Sequence, residues 1–468
     1  MATDYFTEPL NPTKRKKPFT AKLGFMARLS PTGIRCLLIV VVFSLVGCFL
    51  LLRPKTKTIP KSVILPVMKI QMPIPEYGGL HEVEKLEIPT LSKRQATKTT
   101  SLVDEFLDRD SQVRSFFFPD VRNAVDPRKK RQKFNYYPGR IWLDTDGKPI
   151  QAHGGGIMYD EMLGKYYWYG EYKDGPTYRV NGNRTARVDI IGVGCYSSED
   201  LWTWKNEGIV LKAEEQDQNH DLYKSNVLER PKVIYNEGTG TYVMWMHIDN
   251  ANYSKAAIGI AVSDFPTGPF RYLYSIKPHR FESRDMTVFK DDKYCKAYLY
   301  YSSMRNKEIH ISPLREDFLH VSNVVKKVLI GQYREAPAVF KHKGLYYMIT
   351  SGCSGWAPNE ALAHVAESPM GPWETIGNPC VGANQDFRAT TFFAQGTFVL
   401  PMPKGPHGSF IFMADRWKPD DLGDSRYLWL PLYVDEAGYQ PLHNVSRRPQ
   451  VLIFWHERWR MPSKVGGN

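Results

Sequence analysis

The bulk of this chain lacks a charge field. Residues 141–468 hold thirty-seven Lys/Arg and thirty-seven Asp/Glu, although the 468-residue chain carries a formal net charge of +13. The excess sits upstream, with eleven basic against two acidic residues in 1–61 and fourteen against ten in 62–140. A balanced domain offers no basic face to phosphates, so nucleic acid is not expected as a partner. Cysteine is scarce too. Of six, Cys36 and Cys48 lie in one apolar run, leaving Cys195, Cys295, Cys353 and Cys380 for the rest. An oxidising compartment would permit pairing among these four, and sequence does not give the connectivity. Also missing is the alternation of strands and helices that builds a nucleotide-sugar fold, which counts against a glycosyltransferase.

The apolar run itself, residues 36–52 (CLLIVVVFSLVGCFLLL), is uncharged. With Gly33 and Ile34 it is just long enough to span a bilayer. A cleaved signal peptide would have a shorter run and a small-residue cleavage site. Lys14, Arg15, Lys16, Lys17, Lys22, Arg28 and Arg35 precede it. The expectation is a cytosolic tail (1–35), a single anchor (36–52), a luminal stem (53–139) and a luminal domain (140–468), a single-pass type II arrangement. The stem is rich in Lys, Thr and Pro, with one short helix expected from Ser101 to about Phe117. The run Arg128–Arg131 reads as a solvated basic stretch. Sequons at Asn183, Asn252 and Asn444 fit luminal exposure.

From about residue 140 the texture becomes short apolar runs punctuated by Gly, Pro, Asn and Asp. Five hairpins align: 154–171, 229–247, 283–303, 335–352 and 396–417. Each is an apolar strand, a polar turn and an aromatic-rich strand. A weaker pair of strands follows each one. Five four-stranded units arranged radially make an all-β, five-bladed β-propeller, which leaves few exposed sheet edges. First strands of blades line the axis, so residues at their mouths converge although distant in sequence.

At those mouths stand acids: Glu171, Glu229, Asp285, Glu335 and Asp415. Acids crowded round one axis repel, and some pKa values should rise. A raised carboxyl facing an ionised partner is what glycoside hydrolysis needs. Tyr253, Trp356 and Trp417 supply flat apolar faces on which sugar rings pack. Asp144-Thr-Asp146 imitates a metal-binding DxD or the start of a calcium loop. The loop's twelfth position is Gly155 rather than Glu, so a hairpin turn is the better reading. Neither metal nor cofactor is expected.

The order of motifs is more specific than any one of them. AHGGG (152–156), YWYGE (167–171), ERPK (229–232), MWMHID (244–249), NY (252–253), SRD (283–285), EAPA (335–338), SGW (354–356), AQGT (394–397) and DRW (415–417) resemble glycoside hydrolase family 43. The likeness runs from about Arg140 to about Pro441. It is greatest to the exo-β-1,3-galactosidase branch, which includes plant Golgi members that trim arabinogalactan proteins. The resemblance implies an inverting hydrolase of β-1,3-galactan on a Golgi membrane. It implies Glu335 as general acid, Asp285 as the carboxylate that tunes it, and Glu171, Glu229 and Tyr253 as holders of the terminal galactose. The wider family's base, an Asp opening the first blade, is absent; His153-Gly-Gly-Gly156 stands there. Gln395 matches a Gln of the branch near the attacking water, and a neutral amide is a poor base. Gln395 and Glu229 both remain candidates for water activation. Loss of that Asp also keeps open a galactan-binding propeller without catalysis.

Overall fold

A computed structural model describes residues 101–108, 111–180, 185–291, 295–402, 409–435 and 449–461. The apolar run 36–52, Asn183 and Asn444 lie outside them. Among the described residues no helix is long and apolar enough to cross a membrane.

Five antiparallel sheets form the domain. The first blade comprises His153–Asp160, Lys165–Glu171, Gly192–Ser198 and Lys205–Lys212, in that order. The second comprises Val227–Asn236, Thr241–Asp249, Ala257–Ser263 and Arg271–Ile276. Met286–Asp291, Lys296–Ser303, Glu308–Pro313 and Lys326–Val328 make the third. Glu335–His342, Leu345–Ser351, Leu362–Ala366 and Glu374–Gly377 make the fourth. The fifth holds Gln395–Pro401, Ser409–Arg416, Arg426–Asp435 and Gln450–Phe454, extended by the parallel strand Cys380–Val381. The innermost strands touch in cyclic order, fifth against first, so the ring is closed. This is the five-bladed propeller expected.

Each blade is pressed between two others, so its middle strands are buried on both faces and read as continuous apolar runs rather than alternating ones. Strand 192–198 is buried at every position. The contacts between blades form separate apolar clusters. Trp245, Ile258 and Ile260 of the second blade meet Val288, Leu299 and Tyr301 of the third. Trp168, Trp202 and Trp204 of the first meet Trp429 and Met413 of the fifth. Each buried aromatic removes ~150–250 Å² from water, worth roughly 4–6 kcal/mol of gross transfer free energy at ~25 cal/mol/Å². At the foot of the ring, Asp160 accepts from Tyr242, and Asp291 accepts from Lys341 at 2.7 Å, fastening blades to their neighbours.

Asp144-Thr-Asp146 is the expected turn: Asp144 Oδ1 accepts from Asp146 N and Lys148 N, each at 2.9 Å. Of the sparse cysteines, Cys195 and Cys380 are buried thiols and Cys353 is an exposed one.

The N-terminal segment departs from expectation. The single helix is two, Leu102–Leu107 and Gln112–Phe117. Each starts on its own serine cap, Ser101 and Ser111, and Asp108 turns extended between them. Nor do these residues behave as a stem. Phe106, Val113 and Phe117 enter the apolar cluster shared by the fourth and fifth blades. Asn135–Tyr136 pairs with Trp459–Arg460, and the Tyr136 and Trp459 rings stack at 4.4 Å. The packed domain therefore begins well before the change in composition near residue 140.

Candidate active site

One local device builds the mouth of the pocket. In the first, second and fourth blades the pairing register slips at the start of the inner strand, between His153 and Gly156, Glu229 and Lys232, and Glu335 and Ala338. The residue after each slip opens with a positive φ: Gly154 at 59°, Arg230 at 56°, Ala336 at 50°. Such bulges re-aim side chains and occur next to active sites. At Gly154 a Cβ would stand 2.2 Å from Glu171 Oε1, so only glycine fits.

The bulges turn their residues to the axis, where a single cavity gathers Glu171, Glu229, Tyr253, Asp285, Glu335, Trp356, Gln395 and Trp417. Eight of the nine residues singled out from sequence meet there. Arg230, His247, Arg284, Asn306 and Gly355 complete the lining and were not foreseen.

Asp415 is the exception. It lies beneath the floor, 1% exposed, where Oδ1 bonds His153 Nδ1 and Oδ2 accepts from Gly154 N, both at 3.0 Å. It fixes the first blade's bulge and does not line the cavity. His153 is wholly buried and stacks on Tyr427 at 4.8 Å. The first blade thus contributes its acid from the second strand: Glu171 sits directly opposite His153 in register.

The electrostatics sort the carboxyls into different states. Glu335 accepts from Gln395 Nε2 at 3.2 Å and from Asn306 Nδ2 at 3.0 Å. Burial, and then the charge of Asp285, push its pKa up to about 8. Asp285 itself pairs with Arg230 Nη2 at 2.9 Å. Glu229 is the opposite case. Burial pulls its pKa upward, but hydrogen bonds from His247 at 3.1 Å and Tyr253 at 2.7 Å outweigh that and hold it at about 2. His247 has carboxylates on both ring nitrogens, Glu229 and Asp249. Despite burial, these raise its pKa to about 9. Glu171 is raised by burial, against the pull of Lys173 at 2.7 Å.

Gln395 is saturated. Its oxygen accepts from Arg230 Nη2 at 2.7 Å and Trp417 Nε1 at 3.0 Å; its nitrogen donates to Glu335 and to Ser351 Oγ at 3.0 Å. Overhead, Trp356 meets Trp417 edge-on at 5.2 Å and packs against the cluster of Ala186, Val188 and Leu422. A loop of the fourth blade thereby reaches residues of the first and fifth, and roofs one side of the cavity.

Ligand atoms of Glu229, His247 and Asp285 lie within 4.8 Å of one another, a spacing a metal could use. In this arrangement both His247 ring nitrogens face carboxylates, Glu229 and Asp249.

The missed residues had faint signals. Arg230 precedes a proline in Glu-Arg-Pro, as Ala336 does in Glu-Ala-Pro, and both carry the bulge. His247 faces Glu229 in register across the hairpin. Asn306 follows Met304 and Arg305, and all three have positive φ, which sequence does not announce.

Comparison with known proteins agrees with this geometry. The model of "Glycosyl hydrolases family 43" matches residues 166–405. A family 43 β-1,3-galactosidase solved with galactodeoxynojirimycin is 37% identical, with a TM-score of 0.60, over 69% of this chain and all of that one. An exo-β-1,3-galactanase of Phanerochaete chrysosporium, solved as a variant with β-1,3-galactotriose, is 34% identical over 70% of this chain and 68% of that one, with a TM-score of 0.59. The exo-β-1,3-galactanase of Clostridium thermocellum is 32% identical over 71% and 68%, with a TM-score of 0.58. No curated protein sequence matched. A carboxyl kept protonated beside an ionised one, at the axis of five blades, is the equipment of glycoside hydrolysis, and the chain belongs to glycosyl hydrolase family 43.

Proposed function

We propose that this glycoside hydrolase is an inverting exo-β-1,3-galactosidase that removes terminal galactose from β-1,3-galactan chains, including those of arabinogalactan proteins. The observation that carries the reading is the split between Glu335, with a pKa of about 8, and Glu229, at about 2, inside one cavity. Glu335 is protonated at neutral pH and gives its proton to the leaving oxygen. Burial, helped by the charge of Asp285, keeps it protonated. Glu229, Tyr253 and Glu171 grip hydroxyls of the terminal sugar, and the roof at Trp356 limits the cavity to a chain end. The similar solved enzymes act on β-1,3-linked galactose, which supports the substrate class.

Water activation falls to Gln395. Glu229, with a hydrogen bond on each oxygen and a pKa near 2, is a fixed anion and a weak base. Gln395 adjoins the acid, and the Nε2 hydrogen now held by Glu335 is released to a water when Glu335 turns to the leaving oxygen. The transition state resembles an oxocarbenium ion, so the water needs orientation more than basicity. The reading also places the domain in the Golgi lumen, tethered through residues 36–52. Its support is the uncharged run with its basic upstream flank.

The test is the purified chain with β-1,3-galactobiose, following product anomer by NMR. α-Galactose appearing first supports inversion. β-Galactose first would demand a covalent intermediate. Binding without release would favour the lectin reading, which the buried His153 in place of an acid supports.

A further inference from the structure

The two N-terminal helices do more than extend the fold. Phe117 packs against Phe387 at 5.6 Å and Phe393 at 4.5 Å, and Phe106 lies over Phe393 at 4.7 Å. Arg416, 2% exposed, spends its donors on three backbone carbonyls: Phe117 at 3.1 Å, Phe392 at 2.8 Å and Phe393 at 3.2 Å. Its guanidinium also lies over the Phe117 ring at 4.8 Å. Arg114 pairs with Asp420, and Arg426 donates to Pro119 O at 3.1 Å. Two of these attachments, to Phe393 and to Arg416, grip segments that lead into the active site. Phe393 stands two residues before Gln395. Arg416 stands one before Trp417, whose indole donates to the Gln395 oxygen. Phe106 itself lines a small cavity with Trp356, Gln395 and Trp417, on the far side of the wall from the sugar pocket.

We infer that the two helices, Leu102–Leu107 and Gln112–Phe117, are a positioning element of the active site, which clamps the 392–394 turn and the Arg416–Trp417 strand end and so holds Gln395 against Glu335. The inference rests on the reading that Gln395 acts in the reaction. Without the clamp the chain around Phe393 loses one whole side of its packing, and the Gln395 amide loses the fixed backbone from which it reaches four partners. A shift of ~1 Å in a catalytic group can cost on the order of a hundredfold in rate.

The experiment is a double-mutant cycle on the full-length chain, with Phe106→Ala, Gln395→Ala and both together. The readouts are kcat and KM on β-1,3-galactobiose, and the melting temperature. Phe106→Ala should lower kcat about tenfold or more with KM little changed, at a temperature where the chain is folded. The double variant should be no slower than Gln395→Ala alone, because the same contribution is lost only once. Phe106→Leu should restore most of the rate. If Phe106→Ala does not fold, Arg114→Gln, which breaks the ion pair with Asp420, takes its place in the cycle. Losses that multiply would overturn the inference, since they would show that the clamp acts independently of Gln395. If Gln395→Ala alone kept the wild-type rate, the assignment of Gln395 would fall first and the clamp's purpose with it.

Discussion

Gln395 donates a hydrogen bond to Glu335 across 3.2 Å, while Arg230 donates into the other end of the same amide at 2.7 Å. Arg230 and Trp417 are obligate donors, so the amide oxygen must face them and its nitrogen must face the acid. The amide is thereby locked in one orientation, and Glu335 and Gln395 are coupled directly. That coupling sets the first expectation.

Glu335→Gln should slow hydrolysis of natural galactan by about a hundred- to ten-thousandfold while largely sparing binding, the usual range for general acid catalysis. An aryl galactoside with a good leaving group should lose far less. Gln395→Ala should slow both substrates alike, because water must be positioned whichever group leaves. Equal losses on both substrates for Glu335→Gln would remove Glu335 from the role of acid.

The pH profile follows from the same group. The acid works only while protonated, so kcat/KM should fall as pH rises through about 8. Asp285 is the charge that helps hold that value up. Asp285→Asn should therefore move the alkaline limb to lower pH. A limb that stays in place, or moves up, would mean that Asp285 does not tune the acid.

Stability should depend on pH through His247. Its folded pKa, about 9, stands above the ordinary value of 6.5. A raised pKa contributes stability that is full below 6.5 and is lost as pH rises through about 9. Urea midpoints should decline across that window, and His247→Gln should flatten the decline. Identical pH dependence of the midpoint in the wild type and in His247→Gln between pH 6.5 and 9.5 would refute the charged imidazole.

Asn252 should carry no glycan in spite of its sequon. It is exposed beside Tyr253, whose hydroxyl bonds Glu229 inside the cavity. A glycan there would stand at the rim over the substrate. Glycopeptide mapping that found Asn252 largely occupied would displace Tyr253 from the sugar-binding role.

Topology is checked in sealed microsomes. The C-terminal domain should resist protease until detergent is added, with residues 36–52 retained in the membrane. Digestion without detergent would reverse the orientation.

The sequence revealed the repeat, and with it the fold, because a strand clamped between two blades is apolar on both faces and its turns are marked by Gly, Asn and Asp. It also revealed the acids, since a carboxyl at the end of an apolar strand stands out. Their division of labour came from the family resemblance alone, not from the pattern of residues. Glu229 and Glu335 look alike as letters; what separates them is His247 against the one and Asp285 against the other. Asp415 could not be told from the lining acids, because whether a strand-end carboxyl faces the axis or the floor depends on a bulge in the adjacent blade. The two helices, Leu102–Leu107 and Gln112–Phe117, passed for stem because they are short and follow a long Lys-, Thr- and Pro-rich stretch, and only the neighbouring Phe393 and Arg416 show what their buried Phe106 and Phe117 are for.

The pairing of Asn135–Tyr136 with Trp459–Arg460 has a consequence for synthesis. Glu171, Glu229, Asp285, Glu335 and Gln395 have all left the ribosome before Trp459 is made, yet the Tyr136 ring waits for it. The chemistry is thus complete in the chain before this last pairing can form. A chain stopped at Glu457 would carry every catalytic side chain and lack the ring stack of Tyr136 on Trp459 that adds to the packing between its first and last blades.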